Sequence, residues 1–401
     1  MTTGARSEPI GRRVRKWRTI IGLTQQQLAD RVGVSGAYIS MLEKGDRAVT
    51  KRTLLLKLAE ALSVNVTDLT GQPYMPTTSG ELTAYRAASA IRHALDDDHT
   101  PEQRPLSEVE RQVPELFRAR MACDHAKLFT LLPSLLTETR AHTNIAADEE
   151  SRRRALKALI QVCFTGSMGL HAVGYLDLSV RLAERAEQAA DLLDEDAERL
   201  AAKFATAQAL WATGVKQRSA TVAARAVHAT ADESSEVLAL RGMLHLHAAL
   251  TTATVSKVDA MAHLGEAEEL ARVTNDDSWW VEFTTANIGV WRTLVAIESG
   301  DVQAAPGLAR KVEVHRLRTN HRRSRLYLNA ARGHHIAGDV DRAINAILMA
   351  DEIAPESIRT KPVALEMVGH MARTTPGRSG LAELVRRFGV DPLVPQDAHF
   401  A

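Results

Sequence analysis

Apolar spacing divides the first seventy residues into short amphipathic pieces. Ile10, Val14, Trp17 and Ile21 recur at intervals of three and four, which predicts one helix over Ile10 to Ile21 with Arg12, Arg13, Arg15, Lys16 and Arg18 left largely outward. Gly22 ends it. Thr24 with Gln27 three residues on has the capping-box pattern and opens a second helix that buries Leu28, Ala29 and Val32 before Gly33 stops it. Ser35 caps a third helix with Ile39 and Leu42 inward and Gly45 at its end, Thr50 is expected to cap a fourth over KRTLLLKLAEAL, and NVTDLT makes a last short turn. Two short helices joined by a tight glycine turn, the second opening on small or polar residues, present a recognition helix to a major groove.

Beyond the first hundred residues a longer period takes over. A small residue is followed five, nine and twelve positions later by small or apolar ones: Gly174, Ser179, Ala183, Ala186; Gly214, Ser219, Ala223, Ala226; Gly300, Ala305, Ala309, Val312; Gly338, Ala343, Ile347, Ala350. A looser set starts at Val255 (Ala260, Leu264, Ala267) and another at Asp124 (Phe129, Pro133, Leu136). Anchors 38 to 50 residues apart fit a helix pair per period. The small anchor lets the turn close, and the later positions lie on the face of the second helix that its partner approaches. Between these regions, Thr70 to Gly80 holds two Pro and two Gly and breaks any continuous helix. The expected layout is a head over 1–71, a linker with a connecting helix over 72–105, a repeat body over 106–390 and a tail over 391–401, all-α throughout.

Composition sharpens this picture. Of 401 residues, 45% are apolar and 25% charged, and 17 aromatics (5 Trp, 5 Tyr, 7 Phe) are few for a β-sandwich or barrel. Cys123 and Cys163 cannot make a disulfide framework, the N-terminus lacks an apolar leader core, and no stretch approaches the roughly 20 apolar residues of a membrane span. A cytoplasmic protein without membrane attachment is expected. The net charge of +1 conceals an asymmetry, because residues 1–71 carry 12 Lys/Arg against 6 Asp/Glu, or +6, which leaves −5 for the rest. A basic head on an acidic body points to nucleic acid at the head. Asp96 to Asp98 read as a solvated turn, and neither His245 with His247 nor His334 with His335 has the spacing that brings two imidazoles to one helix face, so no metal or cofactor is expected. Cys163 reads as a buried hydrophobe. Without a phosphate loop, nucleophile elbow, metalloprotease or dinucleotide motif, catalysis is not the reading.

The run LTQQQLADRVGVSGAYISMLEKGDR resembles the Cro/C1-type helix-turn-helix of the XRE family at Leu23, Thr24, Gln25, Leu28, Ala29, Val32, Gly33, Val34, Ser35, Ile39, Ser40, Glu43 and Gly45. The resemblance covers about 60 residues and implies a five-helix head. It also implies that Gln25 bonds a phosphate, that Ser35, Gly36, Ala37, Tyr38, Ser40 and Met41 face the groove, and that Lys44, Arg47, Lys51 and Arg52 serve the backbone. Gly36 and Ala37 stand where phage repressors often have Gln or Ser, so Tyr38 and apolar contacts to thymine methyls must carry more of the base reading. The body resembles a degenerate tetratricopeptide (TPR) repeat of about six helical pairs, best in RLYLNAARGHHIAGDVDRAINAILMADEIAP. Head and body together look like the long XRE regulators of actinobacteria and are reminiscent of peptide-sensing regulators of Gram-positive bacteria.

First helices of such repeats line a concave surface. In the family register the inward positions hold Phe164, Met168, Phe204, Gln208, Trp211, His245, Asn287, Trp291, Arg325, Asn329 and Arg332, which mix ring surface with groups able to pair a peptide backbone or carboxylate. Phe164, Phe204, Trp211 and Trp291 read more readily as inter-helix core than as ligand contacts. The expected protein is a homodimeric transcriptional regulator on an inverted-repeat operator in double-stranded DNA, with a peptide or small-molecule effector in the body. The alternative is a DNA-localised scaffold whose body docks a partner protein.

Overall fold

The computed structural model describes residues 8–96, 104–274 and 278–390, and contains no strand among them. Asp97, Asp98 and the expected tail over 391–401 lie outside the described residues. Two compact units are distinguished: one holds residues up to Met75, Ala296–Lys311 and everything from Ser324 on, and the other holds Pro76–Val295 and Val312–Arg323.

The head is the five-helix domain expected, with α1 over Ile10–Ile21, α2 over Gln25–Val32, α3 over Gly36–Lys44, α4 over Arg52–Leu62 and α5 over Val66–Thr70. Gly22, Gly33, Gly45 and Gly71 close α1, α2, α3 and α5 in the left-handed conformation, which glycine adopts without strain. The Thr24–Gln27 capping box forms, and Ser35 Oγ accepts from Tyr38 N at 3.1 Å. Three local expectations change. Ile21 is exposed, because the turn at Gly22 leaves the last residues of α1 beyond the core, while Trp17 is half-buried. Arg18 is drawn inward by an acidic partner described below. Thr50 does not cap α4: its N-cap is Lys51, whose side chain makes no capping bond.

Beyond α6 (Ser79–Asp96) the chain runs through six helical pairs: α7 Leu106–Ala122 with α8 His125–Ile145, α9 Glu149–Val173 with α10 Leu176–Leu193, α11 Asp196–Thr213 with α12 Lys216–Ala226, α13 Ser235–Thr252 with α14 Lys257–Val273, α15 Thr285–Ser299 with α16 Ala305–Arg310, and α17 Asn320–Ile336 with α18 Val340–Ile353. The glycine anchors are the joints. Gly174, Gly214, Gly300 and Gly338 all have φ between 80° and 95°. The residues five, nine and twelve beyond each of these four are buried, and the first of them recurs as a hydrogen bond: Ser179 Oγ donates to Ser167 O at 2.9 Å and Ser219 Oγ donates to Ala207 O at 2.7 Å, each reaching twelve residues back into the preceding helix. At the looser anchor Cys123 takes the left-handed conformation and Asp124 caps α8 through Lys127 N, while Pro133 is only half-buried. Three further helices, α19 (Pro355–Ile358), α20 (Pro362–Thr374) and α21 (Leu381–Phe388), follow the last pair.

Helix α9 is long and apolar enough by length and composition to cross a membrane, yet 72% of its apolar window is buried inside the protein, as in a core helix. Cys163 lies on it, and burial pushes its thiol up to about 12. His245 and His247 have separate partners. His247 is bound by Gln208 Nε2 at 3.1 Å and Ser219 Oγ at 2.8 Å, while His245 turns to His263 at 3.0 Å. Among the described residues no group of three or more His, Cys, Asp or Glu is placed to hold a metal ion.

Burial holds the His247 imidazole down to about 3, so the unfolded chain takes up a proton there that the folded chain refuses. Its contribution is complete above the ordinary value near pH 6.5 and is lost as pH falls toward the folded value. We expect melting followed by circular dichroism to show about 2 kcal/mol less stability at about pH 5 than at about pH 7, and His247→Gln to flatten the dependence. Equal slopes in the two proteins would contradict this assignment.

Candidate nucleic-acid interface

Helix α3 is seated by a close crossing with α1. A Cβ built on Gly11 would fall 1.8 Å from Leu42 O, so only glycine permits the approach. Next to Leu42, Glu43 is buried and accepts from three donors: Arg18 Nε at 2.6 Å, Arg18 Nη2 at 3.0 Å and Gln25 Nε2 at 2.8 Å. Arg18 Nη1 also donates to Leu23 O at 2.7 Å. The bidentate pair raises the Arg18 pKa chiefly through that hydrogen bond. This cluster ties α1, α2 and α3 into one body, so the groove-facing helix is held at both its core and its flank.

Against that frame the expected DNA contacts divide. Ala37, Lys44, Arg47 and Ser35 are exposed, while Gly36, Tyr38, Ser40 and Met41 are half-exposed. The Arg47 guanidinium sits over the Tyr38 ring at 5.7 Å, which holds that cation near the start of α3. Two other side chains are engaged within the head: Gln25 bonds Glu43, and the Ser35 hydroxyl serves as the α3 cap. Lys51 and Arg52 turn toward Glu298, and burial lowers both pKa values, Arg52 to about 10.

Glu298 explains how α4 starts without a local cap. Its carboxylate accepts from Arg52 N at 3.1 Å, Thr53 N at 2.9 Å and Thr53 Oγ1 at 2.9 Å, the orphan donors of a helix N-terminus. Arg332 pairs with the same carboxylate and donates from Nε to Thr50 O at 2.9 Å. Helix α1 likewise has no side-chain cap at Pro9, and Glu366 Oε1 accepts from Ile10 N at 2.6 Å. His370 Nε2 donates to Asp46 O at 3.0 Å, in the loop beyond α3, and Gln72 Nε2 donates to Thr360 O at 3.1 Å. All these residues belong to the first unit, so the end of α15 and helix α20 supply the caps that the head's own sequence lacks.

The helix-turn-helix family model (HTH_3) matches residues 14–69. Control protein C.SmaI of Serratia marcescens is 40% identical over 62 residues, which span 73% of that protein. This chain belongs to the XRE-type (Cro/C1) helix-turn-helix family. Like other members of that family, it carries a DNA-binding regulator domain at its N-terminus. The Propionyl-CoA carboxylase regulator of Cereibacter sphaeroides is 33% identical over 99 residues, which cover 25% of this chain but only 19% of that protein's length. Among solved structures, Bacillus thuringiensis PlcR in complex with the peptide PapR7 and DNA is similar with a TM-score of 0.29 at 13% identity, covering 67% of this chain and 95% of PlcR.

The family's expected inward residues are placed as follows. Phe164, Phe204, Trp211, His245, Asn287, Trp291, Asn329 and Arg332 are buried, and Met168, Gln208 and Arg325 are half-buried. Eight of the eleven belong to the second unit, whereas Arg325, Asn329 and Arg332 belong to the first. Arg332 is committed to Glu298 and Thr50, and Gln208 to His247. The roles of Glu298, Glu366 and Arg18 were not read from the sequence. The helix starts at Pro9 and Lys51 lack a capping side chain, but nothing local identifies what takes its place.

Proposed function

We propose that this regulator binds an inverted-repeat operator as a homodimer in the cytoplasm and that a small-molecule or peptide effector in the helical body changes its hold on DNA. The observation that carries the reading is the division of labour around the head. Helix α3 has its own cap and presents Ala37, Tyr38 and Met41 outward, with Arg47 exposed in the loop that follows, whereas the starts of α1 and α4 are held by Glu366 and Glu298. A head gripped at those two starts is positioned by the end of α15 and by α20, and a ligand that favours one arrangement of the grip shifts DNA affinity by its differential affinity for the two. Helix α15 carries both Glu298 and the expected effector residues Asn287 and Trp291. Two-fold symmetry suits the short module, because a single recognition helix reads too few base pairs for high specificity.

Salt titration of operator binding tests the head. Affinity should fall steeply with salt, and Arg47→Ala should weaken binding on all sequences alike while lowering the slope by about 1 per module. An unchanged slope removes Arg47 from the phosphate contacts. The exposed apolar row Val255, Val258 and Met261 favours a second reading, in which the body docks a partner protein. That reading requires Val258→Asp to abolish a partner complex while leaving DNA binding intact.

A further inference from the structure

Among the shielded polar atoms of the second unit that have no hydrogen-bond partner are Arg120 Nε, Trp291 Nε1 and Asn287 Oδ1. They are linked through neighbouring contacts. Asn287 and Trp291 stand one turn apart on α15, the Arg322 guanidinium lies 5.8 Å from the centre of the Trp291 ring, and Arg322 is close enough for its charge to act on Arg120. Arg120 in turn lies over two rings, 5.3 Å from Phe117 and 5.7 Å from Phe164.

Two shielded guanidiniums so placed call for a carboxylate, since desolvated charges in proteins are normally paired. Among the described residues neither makes an ion pair or a side-chain hydrogen bond. Glu282, whose charge reaches Arg322, is already spent: it accepts from Arg318 N at 2.9 Å, Thr319 N at 3.2 Å and Thr319 Oγ1 at 2.6 Å. Burial, with Arg322 adding to it, pushes Arg120 down to about 9, so Arg120 stays cationic at neutral pH, and among the described residues no carboxylate makes an ion pair with either guanidinium. The surroundings are aromatic: Phe117 stacks on Trp279 at 4.7 Å, and Phe164 meets Trp280 edge-to-face at 5.2 Å. The loose donors are two guanidiniums and an indole N–H.

We infer that Arg120 and Arg322, with the Trp291 N–H and the rings of Phe117 and Phe164, form a binding site for a small organic carboxylate carrying a flat ring. The carboxylate takes the guanidinium donors, Trp291 adds a hydrogen bond, and the ring lies against the aromatic walls. The inference names the effector class and rests on the reading of the body as a sensor for its consequence at DNA.

Benzoate and its neutral isostere benzamide, titrated into the full chain, separate the elements of this claim. Tryptophan fluorescence and thermal shift should report saturable benzoate binding and none of comparable strength for benzamide. Arg322→Gln should weaken benzoate about tenfold, and Trp291→Phe, which keeps a ring and loses only the N–H, by a few-fold, with helix content by circular dichroism unchanged. No saturable benzoate binding, equal binding of benzamide, or an unchanged affinity in both variants overturns the site. A peptide with a free C-terminus that binds where benzoate does not, or inorganic phosphate that binds as well, overturns the ligand class. Operator affinity is measured in the same samples. Arg322-dependent binding of benzoate that leaves it unchanged supports the site and defeats the sensor reading instead.

Discussion

Glu43→Ala is expected to cost the head about 3 kcal/mol and to abolish operator binding. The carboxylate is buried and satisfies three donors, and its removal leaves the Arg18 guanidinium and the Gln25 amide facing a gap. Breaking a buried pair from one side ordinarily costs about 3–5 kcal/mol, and we place this case at the lower end because the Arg18 side chain is 14% exposed and can turn to water. Glu43→Gln keeps an acceptor for one donor and should lose about half as much. Chemical denaturation of the full chain, with the head's transition followed by Trp17 fluorescence, checks both. A Glu43→Ala protein within about 0.5 kcal/mol of the parent would mean the cluster contributes no more than an ordinary surface group.

The second large effect is at Glu298. Its loss removes the cap of α4, frees two backbone N–H groups and strands Arg332, whose side chain is 6% exposed, without its counter-charge. We expect Glu298→Ala to weaken the hold on the head by about 3–5 kcal/mol and to raise amide hydrogen exchange at Arg52 and Thr53 while the α3 amides stay protected. The double change Glu298→Leu with Arg332→Leu separates charge from capping: it should recover much of the stability, since an apolar pair replaces the ions, yet leave the two amides exchanging fast. Protected Arg52 and Thr53 amides in Glu298→Ala would remove the carboxylate from the α4 start. Loosening the grip should also change operator affinity, because the α3–α4 loop that carries Arg47 is tied down on the same side by His370.

Local punctuation explains why the head was legible in such detail. Thr24 with Gln27, Ser35, and glycines at the ends of three helices encode their turns within four or five residues, and both ends of α2 and α3 and the end of α1 follow from them. The repeat anchors were legible for the same reason, since a glycine joint and a small residue five positions later are both local demands. What stayed hidden was long-range. Nothing near Lys51 or Pro9 announces that Glu298 and Glu366 cap those helices from 246 and 356 residues away. The outward reading of Arg18 failed similarly, because periodicity sorts residues by face and cannot see a buried Glu43 across the bundle. In the body, register names candidate inward positions but not which are already satisfied. Arg332 and Gln208 are engaged by neighbours, whereas Trp291 of the expected set and Arg120 outside it each keep a shielded N–H without a partner.

Selection of random duplex DNA by the full chain, followed by sequencing, tests the central claim most directly. The account expects a short motif repeated in inverted order, with half-sites centred about one helical turn apart, and expects enrichment to disappear when Ala37→Glu places a carboxylate on the exposed face of α3. Selection that yields no motif, or one that survives Ala37→Glu unchanged, would contradict it.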